Sequence, residues 1–257
     1  MKGAGIRGLV RAGILGALVA SAGCLKIDST VELNTDGSGK WRLKYAMPQH
    51  MIRQVDYARE LARDLEQAGT TGVASRVQEP LDLPLIFDET RIKERFRPLL
   101  AQGIRLKSLQ VKSMSGWQHV DLTIQFDRFE TLMKLPFLAE CGAALKKQAD
   151  GTFMLILQAP DLSGGGSLPD ASDPFVAANL SPFLSGMSVV SRVEIPTAIR
   201  RTNSAVSDAR RGTWEWDVDK DLKTIERLDK AQMILVFDGD RVNIREFEKL
   251  PRMGGAR

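Results

Sequence analysis

Gly37-Ser38-Gly39-Lys40 has the composition of a phosphate-cradling loop, in which backbone N–H groups and a lysine hold a nucleotide's phosphates. The complete motif needs Gly where Asn34 stands and Ser or Thr where Trp41 stands, and it must open a helix. Alternating residues follow Lys40, so a hairpin turn is expected there. Asp217, Asp219 and Asp221 have the spacing that opens a calcium loop, where alternate oxygens face one ion. Leu222 replaces the turn glycine and Leu228 the bidentate glutamate, which leaves solvated acids at a turn and helix start. His50 and His119 are the only histidines and lack the His-Glu-x-x-His arrangement of a zinc site. No serine sits in a Gly-x-Ser-x-Gly elbow. Acidic residues are plentiful but no pair stands out. No catalytic residue, metal ligand or cofactor is therefore assigned, and the chain is expected not to be an enzyme.

The remaining reactive groups are two thiols, Cys24 and Cys141. Lys2, Arg7 and Arg11 precede the uncharged stretch from Ala12 to Gly23, which is the arrangement of a secretory signal peptide. The stretch is shorter than the roughly 20 apolar residues a spanning helix needs. Ala22-Gly23-Cys24 resembles the bacterial lipobox, whose cysteine is diacylated on sulfur, becomes the first mature residue and is then N-acylated. Ser21 stands where that motif usually carries Leu, and Ala20-Ser21-Ala22 is itself an A-x-A-like site for ordinary signal peptidase. A lipoprotein and a soluble secreted protein are thus the two readings, the lipoprotein being preferred. Each buried acyl CH2 contributes about 0.8 kcal/mol and stable anchoring takes more than one chain, so a triacylated Cys24 would hold firmly to a membrane. Leu25 in second place, rather than Asp, implies by the lipoprotein sorting rule an outer-membrane destination facing the periplasm.

The formal charge of +4 comes from 36 basic and 32 acidic residues; without Lys2, Arg7 and Arg11 the balance is 33 to 32, or +1. A concentrated basic stripe, which nucleic-acid binding requires, is not evident, so nucleic acid is not expected as a partner. The residues from Cys24 onward, with 43% hydrophobic and 26% charged residues in the whole chain, suit one large β-rich domain with a real core. Two cysteines exclude a disulfide framework. If Cys24 is acylated, Cys141 is a lone thiol expected to pack as a small hydrophobe; if Cys24 is free, the two could pair. The expected organisation is a signal peptide over 1–23, a single periplasmic domain over 24–250 with a loop or insertion around 137–187, and a disordered tail over 251–257.

Leu25, Ile27, Val31 and Leu33 alternate with polar residues, and Trp41, Leu43 and Tyr45 resume the alternation after Asp36-Gly37, which predicts a hairpin. Met51, Val55, Ala58, Leu61 and Leu65 recur at helical spacing up to Gly69. Residues 70–87 read as a loop. Asp88 caps a second helix through Ile92, Phe96 and Leu99, ended by Gly103 despite Pro98. The strand from Ile104 to Val111 changes phase midway, which predicts a bulge, and Ser115-Gly116 turns it into Val120, Leu122, Ile124 and Phe126. His119 lies out of phase with that dry face and is expected to be exposed. A short helix is expected at Phe129 to Leu135, then an Asp150-Gly151 hairpin joining Ala144-Leu145 to Phe153 through Leu157. Ser163 to Ser167 reads as a flexible linker, and residues 173–186 as one or two short helices. Val189 to Ile195, Thr213 to Trp216 and Met233 to Phe237 are further strands, with a turn at Thr202 to Ser204 and a helix or turn from Lys220 to Leu228. Apart from the signal stretch no apolar run is long enough to cross a membrane. Hairpins joined by amphipathic helices give an α+β fold, a mostly antiparallel twisted sheet with helices packed on one face.

The cysteine-led strand, the Asp-Gly-Ser-Gly hairpin, the amphipathic helix, Val193-Glu194-Ile195-Pro196, Thr202-Asn203 and Trp214-Glu215-Trp216-Asp217 follow one another in an order that resembles the LppM-like bacterial lipoprotein domain, from about Cys24 to Phe237. The resemblance implies an α+β envelope domain with no established catalytic residues. It also implies a contrast, since members of that family often add a transmembrane helix after the last strand and this chain has none, leaving Cys24 as its anchor.

Trp41, Tyr45, Trp117, Trp214 and Trp216 could line a cavity for an acyl chain or lie where the sheet meets the membrane interface. Packing in the core is the plainer role for large aromatics. The helical stripe of Met51, Val55, Ala58, Leu61 and Leu65 would close over the same sheet, so Trp41, Tyr45, Val55, Leu61, Trp214 and Trp216 are the candidate ligand-binding residues, with Cys24 the candidate lipidation site. The function expected is that of a membrane-anchored envelope lipoprotein whose non-catalytic domain binds a lipid, a glycan or an envelope protein. A purely structural surface lipoprotein and an envelope hydrolase are the alternatives.

Overall fold

The computed structural model describes residues 25–54, 56–57, 60, 86–133, 135, 138, 143–158, 185–221, 224–229 and 231–244. The predicted signal peptide, the linker at Ser163 to Ser167 and the tail over 251–257 lie outside them, as does most of the expected helical stretch over 173–186. Residues 185–186 of that stretch form a turn.

β1 (Lys26–Leu33) and β2 (Gly39–Pro48) make the expected antiparallel hairpin, with Val31 opposite Trp41. The Asn34 N–H donates to the Ser38 carbonyl at 2.8 Å and the Gly37 N–H to the Asn34 carbonyl at 3.1 Å. Only Gly37 takes a positive φ, +84°, so the connection is a three-residue loop closed by a left-handed glycine. Asp36 Oδ1 fixes that loop by accepting from the Ser38 N–H at 3.0 Å and the Ser38 hydroxyl at 2.7 Å. The same device recurs between β5 (Ala144–Lys147) and β6 (Phe153–Gln158), where Asp150 Oδ1 accepts from the Thr152 N–H and hydroxyl. β3 (Ile104–Met114) and β4 (Trp117–Phe126) are joined differently. There Ser115 (φ +52°) and Gly116 (φ +79°) form a two-residue turn of the type matched to strand twist. The predicted bulge is present, as a register shift between Leu106 and Ser108.

Helical residues 49–54 follow β2 and bury Met51 as the periodicity requires. α1 (Glu89–Phe96) begins where Asp88 accepts from the Arg91 N–H at 2.7 Å, and it buries Ile92 and Phe96. A 3-10 turn over Arg97–Gln102 continues it and Gly103 (φ +83°) ends it. Proline cannot donate to an α-helical ladder, and the helix tightens at Pro98. α2 (Phe129–Met133) follows β4, and α3 (Thr224–Asp229) follows β10 (Arg211–Asp217).

The fold is α+β, and the strands form two sheets where the sequence suggested one. The larger has the order β3-β4-β2-β1-β7-β10-β9, with β7 (Ser188–Glu194) parallel to β1 and β9 covering Val206–Ser207. The smaller has the order β5-β6-β11-β8, with β8 at Ile199–Thr202 and β11 at Gln232–Phe237. β8 escapes pattern reading because Ile199 is its only large apolar side chain; its position is set by pairing with β11, not by a dry face. The two sheets share one core. Val31, Trp41, Leu43, Leu122, Ile124 and Val193 of the large sheet are buried in the same cluster as Leu155, Leu235 and Phe237 of the small one. A Cβ on Gly212 would lie 3.1 Å from Leu235 Cδ2, so a glycine lets β10 approach β11. The opposite face of the large sheet is polar and carries the ion pairs Arg42–Glu32, Lys44–Asp121, Arg192–Asp28 and Arg211–Glu194. His119 stands on that polar face, half-buried rather than exposed, because Ala46 and Lys112 flank it in register.

Candidate functional site

Residues paired across a ladder project to the same face. The register aligns Tyr45 with Ile27, Val189 and Trp216, and Leu43 with Ser29, Ser191 and Trp214. Trp41, Tyr45, Trp214 and Trp216 therefore share the inner face of the large sheet, as the alternation implied. Trp41 is 0% exposed and its indole donates to Ser29 Oγ at 2.9 Å. The Tyr45 hydroxyl donates to the Ile86 carbonyl at 2.5 Å, and its ring meets Phe87 edge-on at 5.2 Å. Burial raises the Tyr45 phenol well above its ordinary pKa. Trp214 is buried and donates to Asn203 Oδ1 at 3.1 Å. Trp216 is half-buried against the core. Trp41, Tyr45 and Trp214 are thus core members with satisfied polar atoms. Val55, Leu61, Cys24 and Cys141 lie outside the described residues.

Asn203 is a structural residue that pattern reading placed only in a turn. Its Oδ1 also accepts from the Ile234 N–H at 2.9 Å, and its amide donates to the Gln232 carbonyl at 2.5 Å. Together with the Trp214 bond, this side chain clasps the large sheet to the small one. An Asn flanked by Thr and Ser reads as turn chemistry in any sequence, which hid the role.

An open cleft of about 330 Å³ lies between the helical residues after β2 and the start of α1. Gln49, Ile52, Arg53, Phe87, Arg91 and Gln118 line it, with Asp56 and the α1 cap Asp88. Phe87 separates it from Tyr45. The cleft therefore lies on the far side of the aromatic cluster that the sequence singled out. Three separate segments contribute its walls, and no single motif could have announced it. Its chemistry is that of a polar site with one aromatic wall, two guanidinium groups and two carboxylates.

The cleft adjoins one particular end of the large sheet. The Gln49 N–H donates to the Gly116 carbonyl at 2.9 Å, tying the helical residues to the β3–β4 turn. Trp117, next to Gln118, lies on the polar face with Lys26 Nζ 4.9 Å from its ring centroid. The Leu25 carbonyl accepts from the Ser188 N–H at 3.1 Å, so the residue after Cys24 is pinned to a central strand.

The three spaced aspartates do not converge. Asp217 accepts from the Asp219 N–H and pairs with Lys220, Asp219 accepts from the Gly186 N–H and Ser185 hydroxyl, and Asp221 pairs with Arg227. Among the described residues no group of three His, Cys, Asp or Glu side chains is placed to hold a metal ion. Among the same residues no helix is long and apolar enough to cross a membrane.

No family model matches the chain, and no curated protein sequence matches it significantly. Among solved structures the chain is similar to the folded domain of the Mycobacterium tuberculosis LppM protein, determined by NMR. The TM-score is 0.43 and the identity 12%, over 84% of this chain and 91% of that one. No residue role is transferred on a likeness of that size.

Proposed function

We propose that this protein is a bacterial envelope lipoprotein, held by acyl chains on Cys24, whose α+β domain works without catalysis as a binding or interaction module. The observation that carries the reading is Ala22-Gly23-Cys24 after a cationic, then uncharged, leader, immediately ahead of β1. The body then sits close to the bilayer, since β1 begins at Lys26 in the interior of a seven-stranded sheet. Leu25 after the cysteine makes the outer membrane, on its periplasmic side, the destination.

The carboxylates with displaced pKa values do not mark a general acid. Asp36, Asp150, Asp208 and Asp217 are all held below the ordinary carboxylate value, chiefly by hydrogen bonds from neighbouring residues. A general acid needs the opposite shift; these groups hold turns. The ligand or partner class is a lipid headgroup, a glycan or an envelope protein, met at the cleft between Arg53 and Arg91. The packed state of Trp41 and Tyr45 favours recognition at that cleft over storage of an acyl chain behind the helices. Labelling cells with a fatty-acid probe tests the anchor: label is expected on the wild type and not on Cys24→Ser. Label on both, or on neither, contradicts it. Native mass spectrometry of protein taken from membranes in mild detergent tests the binding role, and a body with no co-purifying lipid or protein above control favours the purely structural reading.

A further inference from the structure

We infer that the tip of the β3–β4 hairpin is a second, non-covalent membrane contact, with Met114 and Trp117 entering the headgroup layer and Lys26 and Lys112 facing lipid phosphates. The inference rests on the reading of Cys24 as the anchor and adds to it how the body stands on the bilayer.

Register places these residues together. Lys112, His119, Ala46 and Lys26 form one row across four strands. Met114, Trp117 and Pro48 form the next row, at the sheet end where β1 starts. Cys24 precedes Lys26 by two residues, and a residue spans at most about 3.6 Å. Acyl chains on Cys24 therefore leave the protein within about 7 Å of the Lys26 backbone, and the bilayer that holds them lies against this end of the sheet.

The side chains there suit that neighbour. Met114 is 63% exposed; among the described residues of the large sheet, Val206 in the two-residue edge strand β9 is the other large apolar side chain left so open. Trp117 is half-buried and pairs with Met114 across the turn; an indole has the apolar body and polar N–H that favour a bilayer interface. Lys26 lies over its ring, and Lys112 is exposed one row away. Cations near a bilayer surface are attracted by anionic lipid. At the opposite end of the sheet the β1–β2 loop is Asn34-Thr35-Asp36-Gly37-Ser38, polar and acidic. Because Gln49 is bonded to Gly116, the same seating brings the cleft of Arg53 and Arg91 beside the headgroup layer.

The test uses the full acylated protein, purified from membranes and reconstituted into phosphatidylethanolamine–phosphatidylglycerol vesicles whose acyl chains are brominated near the glycerol. Flotation reports the anchor, and tryptophan quenching reports the tip. The expected result is flotation of every variant, quenching of the wild type, loss of that quenching in Trp117→Phe, and weaker quenching in Met114→Asp, a surface change that leaves Trp117 in place. Flotation of an acylated wild type whose emission is unquenched, or is quenched equally in Trp117→Phe, overturns this inference alone. A protein that carries no acyl chain and fails to float overturns the anchor reading and this inference with it.

Discussion

Tyr45 shows what the aromatic residues of the inner face do. Its hydroxyl reaches the Ile86 carbonyl and its ring is shut from water, so ionising it would strand a charge in the core. Because the folded-state pKa is raised above the ordinary phenol value of 10.0, the neutral phenol stabilises the fold below that value and the contribution is lost as pH rises past it. Urea denaturation should therefore show stability falling above about pH 10 in the wild type, and falling less steeply in Tyr45→Phe, which lacks the group. At neutral pH the same variant should lose about 1 kcal/mol, the usual net value of one hydrogen bond. Trp41→Ala should cost about 3–5 kcal/mol in the same measurement, since the indole is fully buried. The alternation in β2 was enough to place Trp41 and Tyr45 on one dry face. Their depth was not legible, because Tyr45 is covered by Ile86 and Phe87 from a segment that reads as loop, and Trp41 lies in a core shared with a second sheet whose strand β8 has no apolar pattern.

At the scale of elements, turn chemistry was the most readable part of the chain. Asp36-Gly37, Ser115-Gly116 and Asp150-Gly151 all turn where those dipeptides stand, because only certain residues tolerate a left-handed backbone. Two glycines separate conformational from steric need. A Cβ at Gly151 would meet nothing within 4 Å, whereas one at Gly39 would lie 2.0 Å from the Glu32 carbonyl and 2.5 Å from the Phe126 ring. Gly151→Ala should cost about 1–2 kcal/mol from backbone strain alone. Gly39→Ala should cost clearly more, and thermal unfolding of the pair checks the order. Asp36 adds a pH dependence of the opposite sign to that of Tyr45. Its pKa is lowered by the Ser38 hydroxyl and N–H, so its contribution is present above the ordinary carboxylate value and fades as pH falls. Asp36→Asn should flatten that acid limb. The inter-sheet clasp by Asn203 was not readable, since its partners Trp214, Gln232 and Ile234 are distant in sequence. Asn203→Ala should destabilise by about 1 kcal/mol, the usual net value of a hydrogen bond, since of its partners only Trp214 is buried.

For the whole molecule, the sequence supplied the α+β class and most of the hairpins, but the sorting of strands into two sheets emerges only from three-dimensional pairing. The candidate site divides in the same way. The proposed anchor rests on a local motif, while the cleft draws on residues from 49 to 118 and no local pattern announces it. The cleft lies toward the end of the sheet where β1 starts, so an anchor on Cys24 would put the body's working end nearest its membrane. That orientation has meaning only if Cys24 carries lipid. Mass spectrometry of the N-terminal peptide of the mature protein decides this most directly. The expected product is a chain beginning at Cys24 with a diacylglyceryl thioether and an acylated amine. A chain beginning at Gly23, with an unmodified Cys24 thiol, would contradict it.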